Sequence, residues 1–256
     1  LIDAESVEKA INKKSKAIMP VQLNGRVANM DPIIEIAERN NLLIIEDSCQ
    51  AFGASYKGNY AGTFGKAGTF SFFPAKTLGC FGDGGAVITD SDEIAEKVHL
   101  IRDHGRDPKD GKVKLFGFNT RLDNLQAAIL AVKLKYYDED ISRRREIASI
   151  YNENLKDIEE IFLPPPPASD SDHFDIFQNY EVEAERRDDL RKYLDSRGIG
   201  TILPWGGFTV NNFEELGFNV QLPNTDRMAK KFMLLPLHTM LKDEEVSYIT
   251  KEIINF

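Results

Sequence analysis

No run of about 18 apolar residues occurs anywhere in the sequence, so no membrane-spanning helix is expected. No signal peptide is visible, and two cysteines, Cys49 and Cys80, are too few for a disulfide framework. A reducing, cytoplasmic setting is the expectation. An excess of positive charge is also missing: 32 Lys and Arg face 41 Asp and Glu, a net charge of −9. A chain of that sign repels nucleic acid and anionic membranes, and neither is expected as a partner. The only basic run, Arg143-Arg144-Arg145, follows Asp138, Glu139 and Asp140 and reads as the solvated face of a helix.

Several catalytic signatures are absent as well. The stretch GTFGKAG (62–68) contains Gly-Lys, but a P-loop would need glycine at Tyr60 and Ser or Thr at Ala67. The glycine fingerprint of dinucleotide-binding sheets is missing too, which argues against nucleotide hydrolysis and nicotinamide chemistry. His99, His104, His173 and His238 are scattered without paired spacing, so no metal site is expected. No serine stands in a Gly-x-Ser-x-Gly elbow.

What is present is an alternation of elements. The 256 residues suffice for one large domain or two smaller ones. VEKAINKKSKAIMPVQL predicts a short helix and a buried strand through Ala17–Leu23. MDPIIEIAERNN carries a helical stripe at Ile33, Ile34, Ile36 and Ala37, with Pro32 in its first turn. NLLIIED is continuously apolar, as in a strand covered on both faces, and strand–helix–strand in this order implies a parallel βαβ unit. GTFSFF and GAVITD are two further strands split by a glycine-rich turn, and DSDEIAEKVHLIRDHG is a helix capped by Asp/Ser and ended near Gly105.

From Arg121 to Leu155 the pattern is a long amphipathic helical region, with Leu122, Leu125, Ile129, Val132 and Tyr136 as its apolar stripe. Pro164–Pro167 then break the pattern. FQNYEVEA alternates like an antiparallel strand, and RRDDLRKYLDSRGIGT is a helix stopped by Gly198. The reading is an α/β chain: a mostly parallel sheet with helices on both faces, followed by a smaller α+β domain. The expected divisions are 1–125 for the back part of the large domain, 126–160 for the connecting helix and 161–256 for the small domain.

One stretch carries chemistry, SFFPAKTLGCFGDGGAVITD (71–90). Asp47 and Lys76 each follow a strand-like run, and in open α/β sheets the strand ends form the ligand crevice. An acid there can keep a heterocyclic nitrogen protonated, and a lysine there can form a Schiff base. Ser71, five residues before Lys76, could offer its hydroxyl to a phosphate, and the glycines would let backbone approach a ligand. A plain hairpin with a surface lysine fits the same spacing.

The segments IIEDSCQAFGASYKG and GTFSFFPAKTLGCFGDGGAVITD, with LIRDHGRD, GFNTRLDNLQAAIL and LPLH downstream, resemble the DegT/DnrJ/EryC1/StrS family of sugar aminotransferases. The resemblance covers essentially the whole chain, and its Asp-x-x-Gln and Ser-x-x-x-x-Lys elements are specific. It implies a fold type I enzyme that uses pyridoxal 5′-phosphate (PLP). Carried over position by position, Lys76 is the Schiff-base lysine and the proton shuttle. Asp47 pairs with the pyridinium nitrogen, Gln50 lies against the ring or its phenolic oxygen, and Ser71 binds the phosphate. Asn119 reaches the cofactor of a neighbouring subunit in a homodimer with shared sites, while Arg121 and His104 meet the substrate.

The implied reaction moves an amino group, usually from glutamate, to a keto carbon of a nucleotide-linked deoxysugar, in O-antigen, capsule or natural-product pathways. A non-catalytic PLP-fold binding protein or inactive fragment, and another fold type I enzyme such as an aldolase or desulfurase, are the alternatives. Two departures stand out. Gln22 and Asn24 replace a histidine and a tyrosine of the family near the substrate, and PWGGFTV, with Trp205 free to stack on a ligand or to pack in a turn, replaces a Tyr-Pro…His pattern. The large domain is expected to be incomplete at its N-terminus, because the family carries roughly a hundred further residues ahead of Leu1.

Overall fold

The structure, a computed structural model, describes residues 1–256. The chain runs α1 (Ala4–Ala10), β1 (Ala17–Ile18), α2 (Met30–Arg39), β2 (Leu43–Asp47), β3 (Ser55–Tyr56), β4 (Asn59–Tyr60), β5 (Ala67–Ser71), β6 (Gly85–Ile88) and α3 (Asp92–Ile101). It continues with α4 (Asn124–Lys133), α5 (Tyr137–Leu155), β7 (Ile161–Phe162), β8 (His173–Phe174), β9 (Tyr180–Ala184), α6 (Arg187–Ser196), α7 (Pro223–Ala229), β10 (Phe232–Leu235) and α8 (Asp243–Ile254). Two compact units result: residues 1–141 with 170–178, and residues 142–169 with 179–256. The division falls inside α5.

The first unit is built on a sheet of order β1-β2-β5-β6, with β1-β2 and β2-β5 parallel and β5-β6 antiparallel. The mostly parallel sheet expected from the strand–helix–strand pattern is therefore present. A small second sheet, β4-β3-β8, joins the returning segment 170–178 to the same unit. Ile18, Met30, Ile33, Ile36, Ala37, Ile44, Leu130, Tyr137 and Ile141 belong to its core. The second unit holds the antiparallel sheet β10-β9-β7. Its interior includes Tyr151, Leu155, Val182, Leu190, Leu194, Met233 and Ile253. Tyr151 stacks near Tyr180, ring centroids 4.9 Å apart, and donates to the Pro236 carbonyl at 2.7 Å.

Three local expectations change. The first strand stops at Ile18, because Pro20 has no N–H to give to a ladder; only its carbonyl takes part, accepting from Asp47 N at 3.0 Å. β2 alternates instead of being covered on both faces: Ile44 and Glu46 are buried, while Leu43 and Ile45 are exposed. The expected apolar stripe is only partly kept: Leu122 packs against the core and Ile129 is half-buried, while Leu125, Val132 and Tyr136 are exposed and Leu130 and Tyr137 face the core instead. A 3₁₀ turn at Leu134–Tyr136 shifts the phase between α4 and α5, so one stripe cannot run through both. The basic run on α5 is not a solvated face either. Arg143 donates to the Leu241 carbonyl and pairs with Asp243, both at 2.6 Å, and Arg144 reaches the Leu237 carbonyl.

A buried carboxylate organises the first unit. Glu46 is fully buried and accepts from the backbone N–H groups of Gly62 (2.8 Å), Phe64 (2.6 Å) and Gly65 (3.1 Å), and from Gln22 Nε2 (2.9 Å). The stretch that mimics a P-loop is thus an anion nest filled by the protein's own side chain. Gly65 is required there, since a Cβ would lie 2.4 Å from the Ile44 carbonyl oxygen. Gln22 completes the set by accepting from Ala28 N at 2.8 Å. Its complete burial makes it a core residue and corrects the expectation of a substrate-side position.

Glu46→Ala removes the acceptor of three backbone N–H groups and leaves Gln22 Nε2 only a weak contact with Met30 Sδ, each lost bond at a buried or part-buried donor costing about 1–3 kcal/mol. The expected loss is at least about 3 kcal/mol in urea unfolding. A variant as stable as the parent would show that the nest does not hold the fold.

Candidate active site

Asp47 ends β2 opposite Thr69 of β5, and Ser71 ends β5, so both stand at the same end of adjacent parallel strands. Strand alternation sends Glu46 into the core and turns Asp47 to the other face. Lys76 lies in the β5–β6 connection, outside helix or strand. The connection is folded back by Lys76 N donating to the Phe73 carbonyl (2.8 Å), Cys80 N to Phe72 (2.8 Å) and Phe72 N to Gly84 (2.7 Å). Lys76 is half-buried, and its ammonium has no ion pair and no hydrogen bond. Asp47 is likewise half-buried and paired with no cation; its Oδ1 accepts from Cys49 N at 3.1 Å. Two opposite charges with unused bonding capacity therefore share one end of the sheet.

Gln50 accepts from Asn24 N at 2.8 Å through Oε1, which leaves its amide nitrogen as the group able to donate to a ligand oxygen. Ser71 Oγ accepts from Phe73 N at 3.3 Å and keeps its proton for an outside acceptor. Cys49, which sequence reasoning did not single out, lies among them: its thiol approaches Thr69, and it feels the charges of both Asp47 and Lys76. Burial, then the hydrogen bond and charge of Asp47, push the Cys49 thiol above its ordinary value.

Three of the glycines after Lys76 are required by the packing of the chain itself. A Cβ on Gly79 would lie 2.6 Å from the Pro74 carbonyl oxygen, one on Gly84 3.0 Å from Cys80 Sγ, and one on Gly85 2.8 Å from the Phe70 carbonyl oxygen. They let the connection pack closely on its own backbone and side chains.

Asn119, Arg121 and His104 form a second group. Asn119 bridges to Asp103, Arg121 pairs with Asp103 at 3.4 Å, and His104 stands beside Asp103 in a left-handed turn with φ of 58°. Asn119 and Arg121 line a groove of about 1140 Å³ together with β5, β6 and α3 residues. Neither Asp47, Gln50, Ser71 nor Lys76 lines it. In the second unit Trp205 is 86% exposed, so it is not a packed turn residue.

An acid and a free lysine at the strand ends, a hydroxyl beside them and a mostly parallel sheet beneath define the large-domain architecture of a PLP-dependent transferase. The chain belongs to the DegT/DnrJ/EryC1/StrS aminotransferase family, whose sequence model matches residues 1–254. A "pleiotropic regulatory protein" of Geobacillus stearothermophilus is 40% identical over 258 residues, spanning 100% of this chain and 69% of that protein. A dTDP-3-amino-3,4,6-trideoxy-alpha-D-glucose transaminase of Streptomyces venezuelae is 42% identical over 201 residues, 78% of this chain and 52% of that one. Among solved structures, DesV of S. venezuelae in complex with a ketimine intermediate superposes with a TM-score of 0.92 at 35% identity. That match covers 99% of this chain and 68% of DesV. NtdA of Bacillus subtilis with the cofactor PMP bound gives 0.86 at 30% identity over 99% of this chain and 59% of NtdA.

The cofactor of this family is PLP, and the donor set here fits it. An unpaired carboxylate suits a ring N–H, an unpaired amine suits the aldehyde, a hydroxyl suits the phosphate, and a carboxamide N–H suits the phenolic oxygen.

Because Asp47 acts on Cys49, Asp47→Asn is expected to lower the thiol's pKa and speed its alkylation by iodoacetamide at pH 8. Labelling followed by mass spectrometry, with buried Cys80 as internal reference, reads the effect. An unchanged rate would separate Asp47 from Cys49.

Proposed function

We propose that this chain carries the lysine and the ring-pairing acid of an enzyme that moves an amino group from glutamate to a keto carbon of a nucleotide-linked deoxysugar. The observation that carries the reading is the pair of charges outside any ion pair, Lys76 and Asp47, at one end of the sheet. The substrate class draws on relatives named as transaminases of dTDP-linked amino sugars, at 42% and 36% identity. When bound, PLP supplies the electron sink that lets a proton leave the carbon bearing the amino group. Asp47 holds the proton on the ring nitrogen. Lys76 binds the cofactor through Nζ and, when displaced, takes and returns the substrate proton there. Gln50 donates to the phenolic oxygen, and Ser71 binds the phosphate.

Asn119, Arg121 and His104 complete the site of a second subunit in a homodimer, with Asn119 on the phosphate and Arg121 and His104 on the sugar nucleotide. Their grouping around Asp103, with Asn119 and Arg121 on a groove that Lys76 does not line, supports a role across subunits. No helix of the chain is long and apolar enough to cross a membrane, and we place the reaction in the cytoplasm, feeding polysaccharide or natural-product assembly. The Geobacillus relative is named for regulation, so a non-catalytic binding role is the second reading.

Visible absorbance with added PLP, before and after glutamate, decides between them. The transaminase reading expects a lysine-linked band that borohydride fixes on Lys76 and glutamate bleaches. Lys76→Ala abolishes the fixed adduct and lowers turnover by at least about a thousandfold. Asn119→Ala weakens PLP binding while leaving the melting temperature in place. A folded protein that takes up PLP without linking it to Lys76 would support the binding role.

A further inference from the structure

Lys76 has no side-chain partner, so its reach depends entirely on where the backbone sets its Cα. That backbone lies in an irregular connection, where no ladder or helix fixes it. The two peptide groups flanking Lys76 nevertheless converge on one side chain. Gln178 Nε2 donates to the Ala75 carbonyl at 2.9 Å, and Gln178 Oε1 accepts from Thr77 N at 2.8 Å. A single carboxamide thus clasps the chain immediately before and immediately after the lysine, using its donor end on one flank and its acceptor end on the other.

The clasp is anchored at its far end. Gln178 is 8% exposed and closes segment 170–178, which pairs through β8 with β3. Ile176 N donates to the Gly25 carbonyl at 2.9 Å, and Arg26 pairs with both Asp175 and Asp170. Gly25 itself has φ of 89°, and a Cβ on it would lie 2.7 Å from Ile176 and 2.8 Å from Gln178 N. Thr77 is held a second time, its Oγ1 2.8 Å from Tyr137 Oη, which in turn donates to the Phe52 carbonyl at 2.6 Å. The lysine's side chain is left without a hydrogen-bond or ion-pair partner while its root is held from a segment a hundred residues away.

We propose that Gln178 is the positioning residue for Lys76, holding the Lys76 backbone where Nζ can attack and release a carbonyl carbon. The inference rests on Lys76 being the imine-forming lysine, but the clasp itself can be read without the cofactor. A reacting amine displaced by about 1 Å loses roughly a hundredfold in rate. Substituting Gln178 is therefore expected to slow linkage of Lys76 to PLP far more than it weakens PLP binding.

The test uses the 256-residue chain with Gln178→Leu and Gln178→Glu. Borohydride-trapped PLP on the Lys76 peptide is timed at saturating PLP, with Lys76→Ala as the blank and the melting temperature as the fold control. Gln178→Leu should slow trapping between about ten- and a hundredfold at every pH. Gln178→Glu should slow it near pH 8 and approach the parent as pH falls, because a protonated carboxyl again offers a donor to Ala75 and an acceptor to Thr77. A loss of mere packing would give neither that recovery nor the split between trapping rate and PLP affinity.

In parallel, hydrogen exchange at the Thr77 amide without PLP should show protection in the parent that Gln178→Leu loses. Parental trapping rates in both folded variants, or unchanged Thr77 protection, would overturn the assignment. If the parent links no PLP to Lys76, the lysine's assigned role fails instead, and the Thr77 exchange alone decides the clasp: protection lost upholds it and protection kept refutes it.

Discussion

The burial of Glu46 is the constraint on which the first unit rests. A carboxylate removed from water is tolerable only with its oxygens saturated by donors. Glu46 meets that demand with three backbone N–H groups from one loop and the amide of Gln22. The result ties the end of the β1 region, the centre of β2 and the approach to β5 to one point. Asp47 follows directly, so strand alternation places it on the opposite face at the strand's end. The residue that stabilises the sheet and the residue that presents charge to a ligand are neighbours in sequence and opposites in orientation.

Rigidity below and unused valence above belong together. Asp47 and Lys76 carry opposite charges, and neither is in an ion pair; Asp47 only accepts a hydrogen bond from Cys49 N. A protein selected for stability alone has no reason to leave both open in a half-buried setting, and such local exceptions are expected where function is placed. Thr77, Tyr137 and Gln178 surround that opening with satisfied hydrogen bonds, which confines freedom to the lysine side chain.

Similarity and architecture agree on the class and differ in reach. The chain spans 69% of the Geobacillus relative and 52% of the Streptomyces transaminase, and within those limits its sheet superposes closely on DesV. Asn119 and Arg121 line a groove that Lys76 does not.

Local pattern made most of the framework legible. Five helices and the order of the strands β2, β5, β6 and β9 follow from periodicity and caps, because these depend on residues within one or two turns. The spacing of Asp47, Ser71 and Lys76 is readable for the same reason, Asp47 and Ser71 ending β2 and β5 and Lys76 following β5, whereas Gln50 follows only from the family resemblance. Several matters were out of its reach. Gln22 is a core residue, part of the expected α4 stripe is exposed, and Arg143 is tied to Leu241 and Asp243 about a hundred residues away. The need for Gly79 and Gly85 to pack against distant or folded-back backbone is likewise visible only in the structure. Above all, nothing in the neighbourhood of Lys76 announces Gln178. Sequence alone determined which residues could do chemistry, because composition and short-range spacing set that. Tertiary structure decided which of them are held, which are free and which are buried, because hydrogen bonds between distant segments exist only once the chain has folded.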